Sequence, residues 1–147
     1  MKNKILYFDM DNVLVDFPSA LPKVEPTLLQ EFEGRLDEIP GIFSLMDPIV
    51  GAVEAFERLS NVYDSYILST APWENSSAWS DKNTWVKKYL GQSAHKRLIL
   101  SHHKNLNRGD YLIDDRTANG AGEFQGEHIH FGSARFSTWQ QVLNYLL

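Results

Sequence analysis

The sequence has no cysteine and no long hydrophobic run. Without cysteine a chain cannot form disulfides, bind zinc through thiolates or use a thiol nucleophile. The first apolar run, Ile5–Phe8, is interrupted by Asp9, which makes it too short for the apolar region of a signal peptide. No other run approaches the length of a membrane span. We therefore expect a cytoplasmic protein without a membrane partner.

Positive charge is also scarce, since 14 Lys and Arg against 19 Asp and Glu give a formal net charge of −5. A general nucleic-acid-binding protein needs a basic face that neutralises phosphates, so we expect no nucleic-acid polymer as a partner. A small anionic substrate needs only a few local cations, which this charge balance permits. The hydrophobic fraction of 43% is typical of a globular protein, and the length predicts a single domain over residues 1–147.

Apolar segments of strand length alternate with segments of helical periodicity over most of the chain. Strands are predicted at residues 5–8, 63–68, 97–100, 111–113 and 127–131, and helices are predicted to begin near Asp47, Ser80 and Ser137. Strands that are separated by helical crossovers form parallel sheets with right-handed connections. The sequence thus predicts an α/β fold with a doubly wound parallel sheet.

A proline-punctuated segment at residues 17–47 follows the first predicted strand. Pro26 suits the first turn of a helix, and four apolar residues recur after it at helical spacing: Leu28, Leu29, Phe32 and Leu36. We interpret the segment as a small helical insertion within the domain.

Chemically useful side chains follow four of the predicted strands. Asp9 and Asp11 follow the first strand, and Thr70 follows the second. The third strand leads into Lys104, and the fourth runs into Asp114. The carboxyl ends of parallel strands lie along one edge of a sheet, where open α/β sheets bind their ligands. We therefore expect these residues to converge at one site.

The acidic residues of this set suit phosphoryl transfer. Mg²⁺ prefers oxygen ligands and is typically held by one or two carboxylates together with substrate phosphate. Asp9 and Asp114 could supply those carboxylates, with a backbone carbonyl near Asp11. Asp9 would then attack phosphorus, while Asp11 would protonate the leaving oxygen and later activate water.

The remaining members suit phosphate binding. Lys104 would place a positive charge against the phosphate, and the Thr70 hydroxyl would donate a hydrogen bond to it. Backbone amides around Met10 and Ala71 would donate further hydrogen bonds, as turns at strand ends often do.

At these positions the chain resembles the haloacid dehalogenase (HAD) superfamily of phosphohydrolases, whose four signature motifs match Asp9-Met10-Asp11, Thr70, Lys104 and Asp114-Asp115 in order. Longer segments are similar to the 5′(3′)-deoxyribonucleotidase family, at residues 9–17, 68–72, 85–91 and 112–116. The resemblance covers most of the chain from Lys4 onward. It implies a Rossmann-like HAD core and a Mg²⁺-dependent phosphomonoester hydrolase, which acts through an aspartyl-phosphate on (deoxy)nucleoside monophosphates.

The resemblance implies the roles already given to the motif residues and adds others. Asp115 would support a magnesium site formed by Asp9, Asp114 and the carbonyl of Asp11. In this family the insertion after the first strand is a helical cap, whose aromatic residues grip the base. The candidates for that substrate pocket in this chain are Phe17, Phe32 and Phe43.

The chain departs from the family pattern at two motif positions. Asn12 replaces the glycine that is usual after the second aspartate. Asn tolerates a left-handed turn, so we expect a minor cost. Ala71 stands where many relatives have a hydroxyl residue, which would remove one phosphate contact.

Other interpretations of these residues remain open. The same chemistry could act on another small phosphomonoester or on a terminal phosphate of a nucleic acid. A domain of another class, catalytically silent and used for binding or regulation, could keep the same fold. Taken alone, Asp9 and Asp11 could form a turn, and Thr70 and Lys104 could be ordinary strand-end and surface residues.

Several further side chains are expected to be structural. His128 and His130 share one face of a predicted strand but have no third ligand nearby, so we interpret them as structural or substrate-edge residues. The charged residues around Asp81 and Lys82 are expected to form a solvated helix face. The tryptophans are expected to pack in the core or the insertion: Trp73, Trp79, Trp85 and Trp139.

Overall fold

A parallel sheet of five strands forms the centre of the molecule. The computed structural model describes residues 4–147, within which the strands are β1 (Ile5–Phe8), β2 (Val15–Asp16), β3 (Asp47–Pro48), β4 (Asp64–Ser69), β5 (Leu98–Leu100), β6 (Tyr111–Asp114) and β7 (Glu127–His130). The central sheet has the order β5-β4-β1-β6-β7, and all four of its strand pairs are parallel. The predicted α/β parallel fold is confirmed, and β1 lies at the middle of the sheet.

In the part of the chain that the structure describes, four α-helices accompany the sheet: α1 (Pro26–Glu31), α2 (Ala52–Ser60), α3 (Ser76–Tyr89) and α4 (Trp139–Leu146). The apolar faces of α2 and α4 pack on one side of β1, where the Phe8 ring lies 4.8 Å from that of Phe56 and 5.7 Å from that of Trp139. Tyr7 points to the opposite side and packs there with Phe124, at 5.8 Å between ring centroids. The alternation along β1 therefore buries both faces of the strand.

Two of the predicted helix starts are wrong by a few residues. Helix α3 begins at Ser76, four residues before the expected start near Ser80. Helix α4 is capped by Thr138 and not by Ser137, because the Thr138 hydroxyl accepts a hydrogen bond from the backbone N–H of Gln141. The Gln141 side chain accepts in return from the Thr138 backbone N–H, which completes a capping box.

The helix start expected at Asp47-Pro48 is also wrong, although the helix itself is present as α2. These two residues form β3, which pairs antiparallel with β2. The chain then turns at Gly51, whose φ of +83° lies in the left-handed region, and α2 begins only at Ala52.

The segment between β1 and α2 is helical but broken into short pieces. Besides α1 it contains 3₁₀ turns at Phe17–Lys23, Leu36–Glu38 and Ile42–Ser44. The single helix expected to run through Leu36 is wrong, because α1 ends at Glu31 and Gly34 adopts a φ of +79° that redirects the chain. The role of the insertion at residues 17–47 as a cap over a substrate stays a prediction.

Hydrogen bonds attach this insertion to α3. The buried Asn75 side chain donates to the backbone carbonyls of Asp37 and Ile39, at 2.9 and 3.1 Å. Farther along α3, the indole N–H of Trp85 donates to the carbonyl of Met46 at 3.0 Å.

No helix within residues 4–147 has the length and apolarity needed to span a bilayer.

Candidate active site

A tight turn after β1 presents the first two acidic residues. The Met10 carbonyl accepts hydrogen bonds from the backbone N–H groups of Val13, Leu14 and Val15, so the chain folds back on itself. Asn12 stands in this turn with a φ of +61°, in the left-handed region that asparagine tolerates better than most residues. The turn directs Asp9 and Asp11 to the carboxyl edge of the sheet.

Lys104 joins Asp9 to Asp114. Its Nζ lies 3.0 Å from Asp9 Oδ1 and 2.6 Å from Asp114 Oδ2, and all three residues are buried. Burial alone would lower the pKa of Lys104, but the two carboxylates outweigh it, so the pKa is raised above its ordinary value. The lysine therefore stays charged at the centre of the group.

Asp115 completes a cluster of three carboxylates. One oxygen each from Asp9, Asp114 and Asp115 lies within 4.8 Å of the others. Burial, partly opposed by Lys104 and reinforced by Asp114, raises the pKa of Asp9 to about 6. Burial together with the charge of Asp9 raises the pKa of Asp115 to about 6, and its buried Oδ1 atom has no hydrogen-bond partner.

This cluster fits a divalent cation. Its donors are carboxylate oxygens, which Mg²⁺ prefers, and one of them is buried without a partner. A bound cation would favour the ionised carboxylates and offset the burial that raises the two pKa values. The Asp11 carboxylate is not part of the cluster.

Lys82 is a site residue that the sequence analysis missed. The expectation of a solvated helix face is wrong at this position, because the lysine side chain is completely buried. Its Nζ lies 2.6 Å from Ser69 Oγ, 3.2 Å from the Thr70 carbonyl and 3.3 Å from Asp11 Oδ2. It also lies 4.7 Å from the centre of the Phe43 ring. The second acidic residue of the turn is thereby paired with a buried cation.

A signal for Lys82 is present in the sequence. Ala78, Lys82, Trp85 and Val86 are the buried residues of α3, at spacings of four, three and one. This spacing places them on one helix face. A lysine on an otherwise apolar face needs an anionic partner or hydrogen bonds, and Asp11 supplies the charge.

The structure brings Thr70 to the site with its hydroxyl already engaged. Thr70 Oγ1 donates to the Ser101 carbonyl at 2.7 Å, so donation to a phosphate would require that bond to be exchanged. The side chains of Met10 and Ala71 are buried. Only their backbone amides could therefore meet a phosphate.

The candidate substrate residues are placed differently from one another. Phe17 lines a cavity of about 470 Å³ that also contains Asp11 and Arg116. Phe43 is buried and packs edge-on against Phe17 at 5.8 Å, and neither Phe43 nor Phe32 lines this cavity. Of the three phenylalanines, Phe17 alone therefore reaches the space beside Asp11.

A second cavity, of about 290 Å³, is also lined by Asp11. It is lined by Thr70, Trp73 and His102 among others. Trp73 is 76% exposed, so the expectation that it packs in the core or the insertion is wrong. Trp85 and Trp139 are buried, as expected.

Comparison with protein families gives a consistent match. The family model described as 5′ nucleotidase, deoxy (Pyrimidine), cytosolic type C protein matches residues 35–144. That range begins after Asp9 and Asp11 and includes Lys82, Lys104 and Asp114.

Individual relatives extend the similarity to β1. A protein of Vibrio phage KVP40 with the provisional name 5′(3′)-deoxyribonucleotidase is 60% identical over 142 residues, which cover 97% of this chain and 84% of the phage protein. The human 5′(3′)-deoxyribonucleotidase, cytosolic type, is 30% identical over 154 residues, covering 84% of this chain and 77% of the human protein.

Solved structures agree on the fold. The provisionally assigned HAD hydrolase YfnB of Bacillus subtilis, solved with bound magnesium, superposes with a TM-score of 0.68 at 12% identity and covers 99% of both chains. A haloacid dehalogenase-like family hydrolase of Streptococcus pneumoniae superposes with a TM-score of 0.59 at 14% identity and 98% coverage of both chains. At these identities the likeness concerns the fold alone.

Proposed function

This chain belongs to the 5′(3′)-deoxyribonucleotidase family, and from this membership we propose that it is a Mg²⁺-dependent phosphomonoester hydrolase acting on (deoxy)nucleoside monophosphates. The observation that carries the proposal is the buried group of Asp9, Lys104 and Asp114 at the carboxyl edge of the sheet. A buried cation between two carboxylates, next to a third, is costly to maintain for stability alone. It suits a site that must bind a phosphate dianion and a metal ion together.

Asp9, Asp114 and Asp115 would hold the metal ion. We propose the backbone carbonyl of Asp11 as a further ligand. When bound, Mg²⁺ would neutralise charge on the carboxylates and on the substrate phosphate. The two groups with a pKa of about 6, Asp9 and Asp115, must lose their protons before they can bind the cation.

Asp9 is the proposed nucleophile. Its carboxylate forms a bond to phosphorus, and the ester oxygen leaves with its electron pair and takes a proton from Asp11. In the second half of the reaction Asp11 removes a proton from water, whose oxygen attacks the aspartyl-phosphate. The bond between phosphorus and Asp9 then breaks, and inorganic phosphate is released.

Two lysines support these acids in different ways. Lys104 donates to Asp9 and Asp114, and its ammonium group has a third N–H for a phosphate oxygen. Lys82 holds the Asp11 carboxylate, whose side chain stays 24% exposed and can therefore reach a leaving group. The Thr70 hydroxyl and the amides of Met10 and Ala71 are the proposed additional phosphate donors.

The substrate class rests on the names of the relatives and on the space around Asp11. The phage and human relatives are named for deoxyribonucleotides. Asp11, which must touch the leaving oxygen, lines both cavities. Thr70, a proposed phosphate donor, lines only the smaller one, so we assign the nucleoside to the larger cavity, which Phe17 lines. The human relative is the cytosolic type, which supports a cytoplasmic location for this chain.

The test is phosphate release from a panel of ribo- and deoxyribonucleoside 5′- and 3′-monophosphates, with a sugar phosphate and an aryl phosphate alongside. Each reaction is run in Mg²⁺ and in EDTA, for the wild type and for Asp9→Asn. We expect Mg²⁺-dependent release from the deoxyribonucleotides that the variant abolishes. Release from the aryl phosphate alone would keep the phosphohydrolase chemistry and reject the nucleotide. No release from a folded protein that binds Mg²⁺ would favour a silent binding domain.

A further inference from the structure

Two histidine rings on β7 bond to consecutive backbone carbonyls at the proposed metal site. His128 Nε2 lies 3.0 Å from the Asp114 carbonyl oxygen, and His130 Nε2 lies 2.9 Å from the Asp115 carbonyl oxygen. Residues two apart on a strand share a face, and the two rings stack with their centroids 5.6 Å apart and their planes at 19°. Because a carbonyl oxygen only accepts, both rings must carry their proton on Nε2.

The two histidine rings bind the chain at the point where the backbone pairing of β6 with β7 ends. The pairing of β6 with β7 ends at Asp114 and His130. The Asp114 carbonyl still accepts from the backbone N–H of Phe131 at 3.1 Å. The Asp115 carbonyl lies beyond the paired residues and accepts from the His130 ring. The His130 ring thus extends the hydrogen bonding of the strand by one peptide group, and the His128 ring adds a second donor to the Asp114 carbonyl.

The residues so supported are two of the three that form the acidic cluster. Their carboxylates lie close to each other and to Asp9, and like charges at this spacing repel one another. On the side-chain side, Lys104 and the backbone N–H of Arg116 donate to the Asp114 carboxylate. On the backbone side, the donors are the Phe131 amide and the two histidine rings.

From this arrangement we infer that His128 and His130 are positioning residues, which hold the backbone of Asp114 and Asp115 so that their carboxylates stay at the spacing that a divalent cation requires. The inference rests on the metal site of the proposed function. The group of side chains placed to hold a cation comprises Asp9, Asp114 and Asp115 and neither histidine, so the two rings act on the site through the backbone carbonyls that they bind. Hydrogen-bond partners of this supporting kind typically affect metal affinity by about 10- to 100-fold.

The experiment measures Mg²⁺ binding without substrate. Leucine and glutamine variants of both histidines are compared, singly and together, because glutamine keeps an N–H donor near the position of Nε2 and leucine removes it. His95→Leu, at an exposed position away from the site, is the matched control. Binding is followed by calorimetry and by the Mg²⁺ concentration that gives half of the rise in melting temperature.

We expect His128→Leu/His130→Leu to weaken Mg²⁺ binding by about tenfold or more, whereas the glutamine variants stay within about threefold of the wild type. In the phosphatase assay, saturating Mg²⁺ should restore kcat in the leucine variants. Leucine variants that bind Mg²⁺ as tightly as the wild type would overturn the inference, as would glutamine variants that bind no better than leucine ones. If the double variant does not fold, His130→Leu at its exposed edge position provides the same comparison. A wild type that binds no Mg²⁺ would overturn the metal site itself.

Discussion

The buried carboxylate of Asp9 should make the metal-free protein less stable than a variant that has lost the proposed nucleophile. Burial raises the pKa of Asp9 from 3.8 to about 6. A group whose pKa is higher in the folded state holds its proton more tightly there, so folding opposes its ionisation. Stability is therefore highest below the unfolded pKa and falls as the pH rises towards the folded pKa. Above pH 6 the full cost is present.

The size of this effect follows from the shift. A difference of about 2 pKa units corresponds to about 3 kcal/mol, which is an upper value because Asp9 is coupled to its neighbours. Asparagine has nearly the shape of aspartate but carries no charge. In EDTA at pH 8, we expect Asp9→Asn to be about 2 kcal/mol more stable than the wild type. For a chain of this size that is about 4–8 °C in melting temperature.

Urea unfolding and thermal melting at pH 4, 6 and 8 in EDTA measure the difference. The pH dependence of this stability difference identifies its cause. At pH 4 Asp9 is protonated in the folded wild type and is as uncharged as asparagine, so the stability gained by Asp9→Asn should approach zero. Glu57→Gln removes an exposed carboxylate from α2 and is the control, with no change expected at any of these pH values. In saturating Mg²⁺ the stability advantage of Asp9→Asn over the wild type should shrink or change sign, because the wild type gains binding free energy that the variant lacks.

A variant that is less stable than the wild type at pH 8 in EDTA would refute this reasoning, and so would a gain of equal size at pH 4 and pH 8. The first result would mean that the ion pair with Lys104 outweighs the burial of the carboxylate. The second would place the effect in packing and not in charge. In either case the loss of turnover in Asp9→Asn is a separate measurement, which tests the nucleophile alone.

Three further predictions concern the neighbouring residues. Lys82→Met should lower kcat at least tenfold and stability by about 1–3 kcal/mol, because it leaves Asp11 without its buried partner. The partial exposure of Asp11 limits the loss of stability. Lys87→Met, on the exposed part of α3, is the control and should change neither kcat nor stability. A normal kcat and melting temperature in Lys82→Met would show that Lys82 does not support Asp11. Phe17→Ala should raise KM for nucleotides about tenfold through loss of an aromatic contact. Phe32→Ala should leave KM unchanged, since Phe32 does not line the cavity beside Asp11. Equal effects of the two substitutions on KM would place the nucleoside elsewhere. The rise in melting temperature caused by Mg²⁺ should be larger at pH 8 than at pH 5, because Asp9 and Asp115, with pKa values of about 6, are protonated at pH 5 and compete with the cation. A rise of the same size at both pH values would contradict that competition.

The central sheet could be predicted because its signals are local. β1 reads as a short apolar run that ends in an acid, and the other central strands follow similar runs within a residue or two of the predicted bounds. The meeting of Asp9, Lys104 and Asp114 followed from topology, since parallel strands in one sheet end at the same edge. No distance had to be known for that step.

The structure of the insertion was harder to predict because the path of its chain depends on turns. Pro26 marks the start of α1 as predicted, but α1 ends at Glu31 and the left-handed Gly34 separates it from Leu36, which was predicted to lie on the same helix. The pairing of β2 with β3 likewise occupies Asp47 and Pro48, so the helix expected to start there begins only at Ala52. Two-residue strands carry almost no periodicity, and their existence depends on a partner far along the chain.

By itself the sequence determined the five central strands and their order along the chain, the acidic residues at the strand ends and the resemblance to a phosphohydrolase family, because each of these depends on neighbouring residues. Only the tertiary structure decided the pairing of Lys82 with Asp11, which lie 71 positions apart, the burial of Phe43 and the bonds from His128 and His130 to the backbone of the acidic cluster. The physical reason is that burial and hydrogen bonding depend on which face of an element meets another. That choice is made by the packing of segments distant in the chain.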